Sequence, residues 1–560
     1  MLAELGVVEQ RTKAVYEVLD GASVATCSSS VATAEGTAGG GHPGLAGRDV
    51  RTCVVNARFR PSTRQRGHFP NEAAGSEGSL PHDPWPQGHG RQRDPARVKL
   101  DASTQHVSQL RRQDQQQPVT ITRLHRKSDR PTAGNILFST TKRWNQDMRK
   151  LRKLRKSLFG IAFALLVTAV MPSIAEPATG ATPATGGATA VRASLRSELN
   201  NYLNAYRVAE HISAVSLAVT FRGRRPGINL AVGSTRYGGG PAISPYALWQ
   251  IGSNTKAFTS VMVLQLEAEH KLSINDTLGK WLPQYPAWGG VTIKRLLNMT
   301  SGIPSYTDSL EFWHDVAAAP HGVFSVSRLV SYALDLPPTH GYSYSNTNYI
   351  LAQMIIERAT RDSYGSQLCR RIVVPLSLQN MFYSGTSYAR AITARMPAGY
   401  WFIAALPEMT PQLGHDQSRH TLSWARGAGG IVSSLQDMAK WDRALFTGRE
   451  LPGKQQRELM SLVSTTTGKP IRTTTLADPA GYGLGISQVT SKTLGTLWYY
   501  EGETTGFRVV NIFVPRSGTA IAIGVNSATL NDHTAALAIS VYQTLHKAGL
   551  VAVGRTAAGS

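Results

Sequence analysis

The stretch LWQIGSNTKAFTSVMV, residues 248–263, places Ser253 three positions before Lys256. From Lys256 onward, KAFTSVMVLQLEAEHKL is apolar on every face, which predicts a buried helix rather than a surface one. Ser253 follows Gly252 at the mouth of that helix, where free N–H groups and the positive end of the macrodipole favour a developing anion. A residue three places on shares the helix face, so the lysine can reach the serine oxygen. The plainer alternative is a capping serine with a snorkelling lysine. Spacing alone does not separate the two, because roughly two such pairs are expected by chance in a chain of this size. A second pair does occur, Ser139 and Lys142 in FSTTKRW.

Composition narrows the classes. The 560 residues carry 59 Lys+Arg against 36 Asp+Glu, a formal charge of +23. Half of that excess lies upstream of residue 157 and the remainder is scattered singly, so no nucleic-acid partner is expected. Three cysteines (Cys27, Cys53, Cys369) without a CxxC give no zinc-site spacing, and neither HExxH nor GxSxG occurs. GRELPGKQ (448–455) has Gln455 where a phosphate loop needs Ser or Thr, and it reads as a surface loop. No metal or cofactor is implied.

The basic run MRKLRKLRK (148–156), the apolar SLFGIAFALLVTAVM (157–171) and the small-residue ending SIA form a secretory leader. A cut after Ala175 is expected, giving a periplasmic or extracellular product; the alternative is a signal anchor in the inner membrane. The apolar run falls short of the ~20 residues that span a bilayer, so no stable membrane span is expected once the signal is cleaved. Residues 1–147 are rich in Arg, Gln, Ser, Gly and His with little apolar periodicity. They are expected to be disordered or an extension upstream of a start at Met148. The Ala/Thr/Gly/Pro stretch 176–193 reads as a flexible linker.

From 194 to 548 the pattern is continuous. AVSLAVTF, a turn, and INLAVGS predict a hairpin. Helical signals dominate about 275–425, and strand signals return with YGLGISQV, TLWYYEGE, FRVVNIFV and TAIAIGVN. DHTAALAISVYQTLHKAG closes as an amphipathic helix. The expected fold class is α/β (α+β): a mostly antiparallel sheet built from both ends of the domain, flanked by helices, with an α-helical lobe beside it.

Seven segments in order carry a family resemblance: IGSNTKAFTS (251–260), TIKRLLNMTSGIPSY (292–306), YSYSNTNYILAQMIIE (342–357), IVVPLSLQNM (372–381), GAGGIVSSLQDMAKWDRAL (427–445), GYGLGI (481–486) and YEGETTGF (500–507). The series resembles the penicilloyl serine hydrolases of the class C β-lactamase, D-alanyl-D-alanine carboxypeptidase and esterase group. The resemblance implies the β-lactamase/DD-peptidase (transpeptidase-like) fold, with the site between sheet and helical lobe. It also implies Ser253 as nucleophile, Lys256 as part of its base relay and Tyr344 as proton carrier. Asn346 would hold the substrate's carbonyl side, and the N–H groups of Ser253 and Glu503 would form an oxyanion hole. A free tyrosine has a pKa near 10 and needs a cation beside it to become a phenolate, a part expected of Lys256.

The third element departs from the pattern. Where the family usually has Lys-Thr-Gly or His-x-Gly, this chain has Tyr500-Glu501-Gly502. Gly502 is expected to let substrate approach the strand edge. Tyr500 cannot pair with a substrate carboxylate as a cation would, although it can hydrogen-bond a neutral ester or amide. Arg508 is a candidate replacement cation, and Met299, where His is common, reads as packing. The expected function is a secreted serine hydrolase acting through an acyl-enzyme on Ser253, of esterase, D,D-peptidase or β-lactamase type. Its partner would be a small acyl substrate or a peptidoglycan-type peptide. The alternative is a catalytically retired protein that binds peptidoglycan fragments or a protein partner.

Overall fold

The computed structural model describes residues 185–223 and 225–551. The upstream extension, the leader with its cut after Ala175, and the Ser139–Lys142 pair lie outside the described residues. Part of the expected linker is instead ordered: helix α1 (Thr185–Tyr206) begins inside it. The reason is packing, since Val191, Leu195, Leu199 and Tyr202 recur at helical spacing and are all buried.

Nine strands form one antiparallel sheet: β1 (Ala214–Thr220), β2 (Ile228–Gly233), β7 (Leu462–Ser464), β8 (Pro470–Ile471), β9 (Ala480–Tyr482), β10 (Ser487–Ser491), β11 (Gly495–Glu503), β12 (Arg508–Val514) and β13 (Thr519–Val525). Their spatial order is β2-β1-β13-β12-β11-β10-β9-β7-β8, so strands from both ends of the domain meet at β1–β13. A small sheet joins β3 (Leu248–Gln250), β6 (Ile431–Ser434) and β4 (Met381–Tyr383). Two residues of β5 (Tyr400–Trp401) pair in parallel with β14 (Ser527–Ala528). YGLGISQV is not one strand but two, β9 and β10, separated by a turn in which Gly485 adopts φ +78°.

Side-chain alternation gives each face of the sheet its own core. Val510, Ile512, Ile521 and Ile523 pack with Leu195, Leu199, Val541 and Leu545 of α1 and α7 (Thr534–Lys547). The residues of opposite parity on β12 and β13, Val509, Phe513, Ala520 and Ala522, join the larger core on the other face. Small alanines there let α6 (Leu435–Phe446) lie close to β13. Beneath it runs α2 (Thr255–Ala268), whose Phe258 stacks on Trp441 at 3.9 Å. Phe258, Val261, Met262, Val263, Leu264 and Leu266 of α2 are all fully buried, each worth about 1.5–3 kcal/mol of transfer free energy.

Between α2 and β4 the chain is helical or irregular, with α3 (Leu310–Ala318), α4 (Val326–Leu334) and α5 (Thr347–Thr360) as its longer helices. Serine caps start two of these and α6: Ser309, Ser325 and Ser434 each accept a hydrogen bond from the N–H three residues on. Among the described residues no helix is long and apolar enough to cross a membrane.

Candidate active site

Ser253 sits in a 3₁₀ turn, Gly252–Asn254, that leads directly into α2. Gly252 has φ +52°, and a Cβ there would meet the Glu503 backbone, its oxygen at 2.6 Å and its nitrogen at 2.8 Å. The converse holds at Gly502, where a Cβ would lie 2.1 Å from the Ile251 oxygen and 2.6 Å from the Ser253 nitrogen. The two glycines thus let the turn press against β11 and bring the Ser253 and Glu503 amides together. At Gly502 the protein's own turn is what requires the missing side chain. Strand β10 pairs with β11 only as far as Tyr499, which leaves Tyr500–Glu503 without a strand on that side.

Asn254 fixes the turn from behind. Its Nδ2 donates to Ile251 O at 2.8 Å and Val509 O at 3.0 Å, and its Oδ1 accepts from Asn511 Nδ2 at 2.8 Å. Sequence reading missed Asn254 and Asn511, although Asn254 lies beside the nucleophile candidate.

Lys256 is fully buried, one helical turn beyond Ser253. Its Nζ donates to Asn346 Oδ1 and to Ala428 O, both at 2.9 Å, and lies 4.9 Å from the Tyr344 ring centroid. Burial pushes the ammonium well below the ordinary lysine range. Asn346 is equally buried, and its Nδ2 donates to Thr307 Oγ1 at 3.1 Å. Both ends of its amide are therefore engaged inside the protein, which gives Asn346 a task beyond the one expected: it holds Lys256.

The Tyr344 hydroxyl donates to Ser253 Oγ at 3.0 Å. It also lies 3.4 Å from the Tyr500 hydroxyl, which in turn lies 2.7 Å from that of Tyr482. Four hydroxyls thus run in a chain from Ser253 to Tyr482. The expected phenolate is corrected here. Burial, then Tyr500, push the Tyr344 phenol well above its ordinary value, and the hydrogen bond with Ser253 opposes them without prevailing. Burial likewise raises Tyr500 and Tyr482. Tyr344 is a neutral donor in this site.

Arg508 does not replace the missing cation. It shares the sheet face of Val510 and Ile512, away from Tyr500, and is fully buried. There its guanidinium pairs with Glu210 at 2.7 Å and Asp532 at 2.6 Å. Met299, expected only to pack, is buried but also accepts hydrogen bonds through its sulfur. Among the described residues no group of three His, Cys, Asp or Glu side chains could hold a metal ion.

A serine at a helix mouth, a buried lysine one turn on and a tyrosine hydroxyl on the serine oxygen thus stand together beside β11. The chain belongs to the beta-lactamase family of serine hydrolases, whose model matches residues 199–545. It is 28% identical over 233 residues to Protein flp of Staphylococcus aureus, covering 40% of this chain and 44% of that protein. To Penicillin-binding protein 4* of Bacillus subtilis it is 25% identical over 283 residues, 48% of this chain and 58% of that one. The chain thus spans about half the length of the curated relatives it matches. Among solved structures, a D-stereospecific amidohydrolase from Streptomyces sp. superposes with TM-score 0.52 at 25% identity, covering 62% of this chain and 96% of that one. A D-amino acid amidase from Ochrobactrum anthropi shares the fold with TM-score 0.54 at 22% identity, over 64% and 99% of the two chains.

Proposed function

We propose that the protein hydrolyses an ester or amide through an acyl-enzyme on Ser253. The observation that carries this reading is the Tyr344 hydroxyl 3.0 Å from Ser253 Oγ beside a lysine that burial holds toward its neutral form. A neutral amine can take the serine proton as Oγ adds to the substrate carbonyl. The Ser253 and Glu503 N–H groups then receive the oxyanion. Collapse of the adduct breaks the bond to the leaving group, which takes up the proton that Lys256 removed from serine, with the Tyr344 hydroxyl on Ser253 Oγ as a relay that gives one proton and regains another. Water then releases the acyl group by the reverse sequence.

The substrate class follows from Tyr500. A neutral hydroxyl where a cation is usual favours a substrate that is uncharged on that side, an ester or an amide, over a penicillin or a D-alanyl-D-alanine carboxylate. The likeness to a protein named D-stereospecific amidohydrolase supports the amide. The test is intact mass of the protein after exposure to a p-nitrophenyl acyl ester and, separately, to a penicillin, with Ser253→Ala alongside. An ester adduct on the wild type alone is the expected result. A penicillin adduct would restore the carboxylate-binding reading, and no adduct or turnover with either would favour a binding protein.

We also propose export through the leader at 148–175, supported by its charged, apolar and small-residue regions in that order. N-terminal sequencing of native protein should begin at Glu176. A start upstream of the apolar run would favour the anchored form.

A further inference from the structure

We propose that Met299 is a positioning residue for Tyr344, an inference that rests on the acyl-enzyme reading above. Residues 343–345 belong to no helix or strand, so no ladder holds the backbone that carries the Tyr344 ring. Their amides must be satisfied elsewhere. The two amides flanking Tyr344 both donate to Met299: Ser343 N to its carbonyl oxygen at 2.9 Å, and Ser345 N to its sulfur at 3.3 Å. The same sulfur lies 3.7 Å from Asn348 Nδ2, in the first turn of α5. One residue therefore grips the segment on both sides of the tyrosine and at the helix that follows.

Met299 is fully buried and adopts φ +63°, a left-handed conformation uncommon for a residue with a side chain. That turn is what lets carbonyl and thioether face the same neighbouring segment. The rest of the loop supports the next residues, with Ser305 Oγ accepting from Asn346 N at 3.0 Å and Ser301 Oγ donating to Asn348 Oδ1 at 2.8 Å. The thioether thus accepts from the amide that directly follows the reacting tyrosine. Leucine would fill nearly the same volume but accept nothing, leaving the Ser345 N–H buried without that partner.

The experiment compares Met299→Leu and Met299→Gln in the full chain, by steady-state hydrolysis of a p-nitrophenyl ester, rate of adduct formation by intact mass, and thermal midpoint. Met299→Leu should lower kcat and the acylation rate about 10- to 100-fold while KM moves less than about threefold, the pattern of a misaligned reacting group. Met299→Gln, which restores an acceptor of similar reach, should recover kcat to within about fivefold of wild type. An unchanged kcat in Met299→Leu would overturn the proposal. So would equal losses in both variants that simply track the thermal midpoint, since packing alone would produce that. If Met299→Leu does not fold, Met299→Gln decides alone, and a folded variant slowed more than about 30-fold counts against the proposal. A wild type that forms no adduct sinks the acyl-enzyme reading and this inference with it, whereas a wild-type adduct with an unaffected leucine variant sinks this inference only.

Discussion

Strand β11 shows two different solutions to burying polar groups, one on each face. Toward α2 it presents Tyr500 and Gly502, in a neighbourhood of neutral hydroxyls with Lys256 as the nearby amine. Toward α1 and α7 it presents Glu501 and Glu503, close to Arg508, Glu210 and Asp532. On the first face burial disfavours the charged form of every group, lowering the Lys256 ammonium and raising the Tyr344, Tyr500 and Tyr482 phenols. The second is held by the pairing of Arg508 with Glu210 and Asp532, beside which burial raises the Glu501 and Glu503 carboxyls. A site that must shift protons and a site that must stay still therefore sit back to back on one strand, separated only by side-chain alternation.

The most damaging change on the reactive face is Lys256→Met, which keeps the buried stem and removes the amine. Loss of a general base typically costs 10²–10⁴-fold, and we expect kcat/KM to fall by about 10³-fold or more with little change in thermal midpoint. The pH dependence sharpens this. Because burial lowers the Lys256 pKa, the amine becomes a base at a pH below the ordinary lysine value of ~10.4. Activity should rise with pH along a limb well below that value and lose the limb in the variant. A limb that stays near pH 10 would mean that Lys256 is charged in the resting site.

On the other face the largest effect should be on stability. Arg508→Met strands the Glu210 and Asp532 carboxylates in the interior. Breaking a buried pair from one side costs about 3–5 kcal/mol, which a urea midpoint would show directly. Activity of the folded fraction should change far less, because Arg508 lies on the far side of the strand. A large kcat loss without a stability loss would erase the distinction between the faces.

These two outcomes also mark what the sequence could and could not reveal. Ser253, Lys256, Tyr344 and Asn346 were legible through the ordered series of segments that resembles the family, since the Ser–Lys spacing by itself fits a chance pair equally well. The hairpin, the buried helix and the closing helix were legible from apolar periodicity. Tyr482 was not, since it comes near Tyr500 only through the register of β9, β10 and β11, in which Ser487 pairs with both Tyr482 and Tyr499. The facing of Arg508 needed a strand boundary that sequence does not fix to one residue. The Tyr344 phenolate failed for a different reason: proximity to a lysine was weighed without the burial that the fold imposes on both groups. The helical start of α1 inside an Ala/Gly-rich stretch needed the partner surface of β2, which composition does not contain.

Tyr500→Lys tests whether the missing cation sets substrate choice. A lysine there should favour a carboxylate-bearing substrate over its neutral ester by about 10- to 100-fold in the ratio of kcat/KM values, the worth of one charge-assisted hydrogen bond. An unchanged ratio would remove Tyr500 from the specificity argument and leave it as a member of the hydroxyl chain.

The last test is at Glu503, whose side chain lies with the buried charges. Burial raises its carboxyl well above the ordinary value, and Arg508 opposes that without prevailing. The folded state therefore keeps a proton that the unfolded chain gives up near pH 4.3, and stability falls as pH rises from there toward the folded pKa, by at most about 1.4 kcal/mol per pH unit. Glutamine carries no such proton. Glu503→Gln should match the wild type near pH 4 and gain on it as pH rises, so the difference between their thermal midpoints should widen from pH 4 toward neutrality. Curves that stay parallel would mean that Glu503 is ionised in the fold, and that the charged face of β11 reaches to the edge of the site.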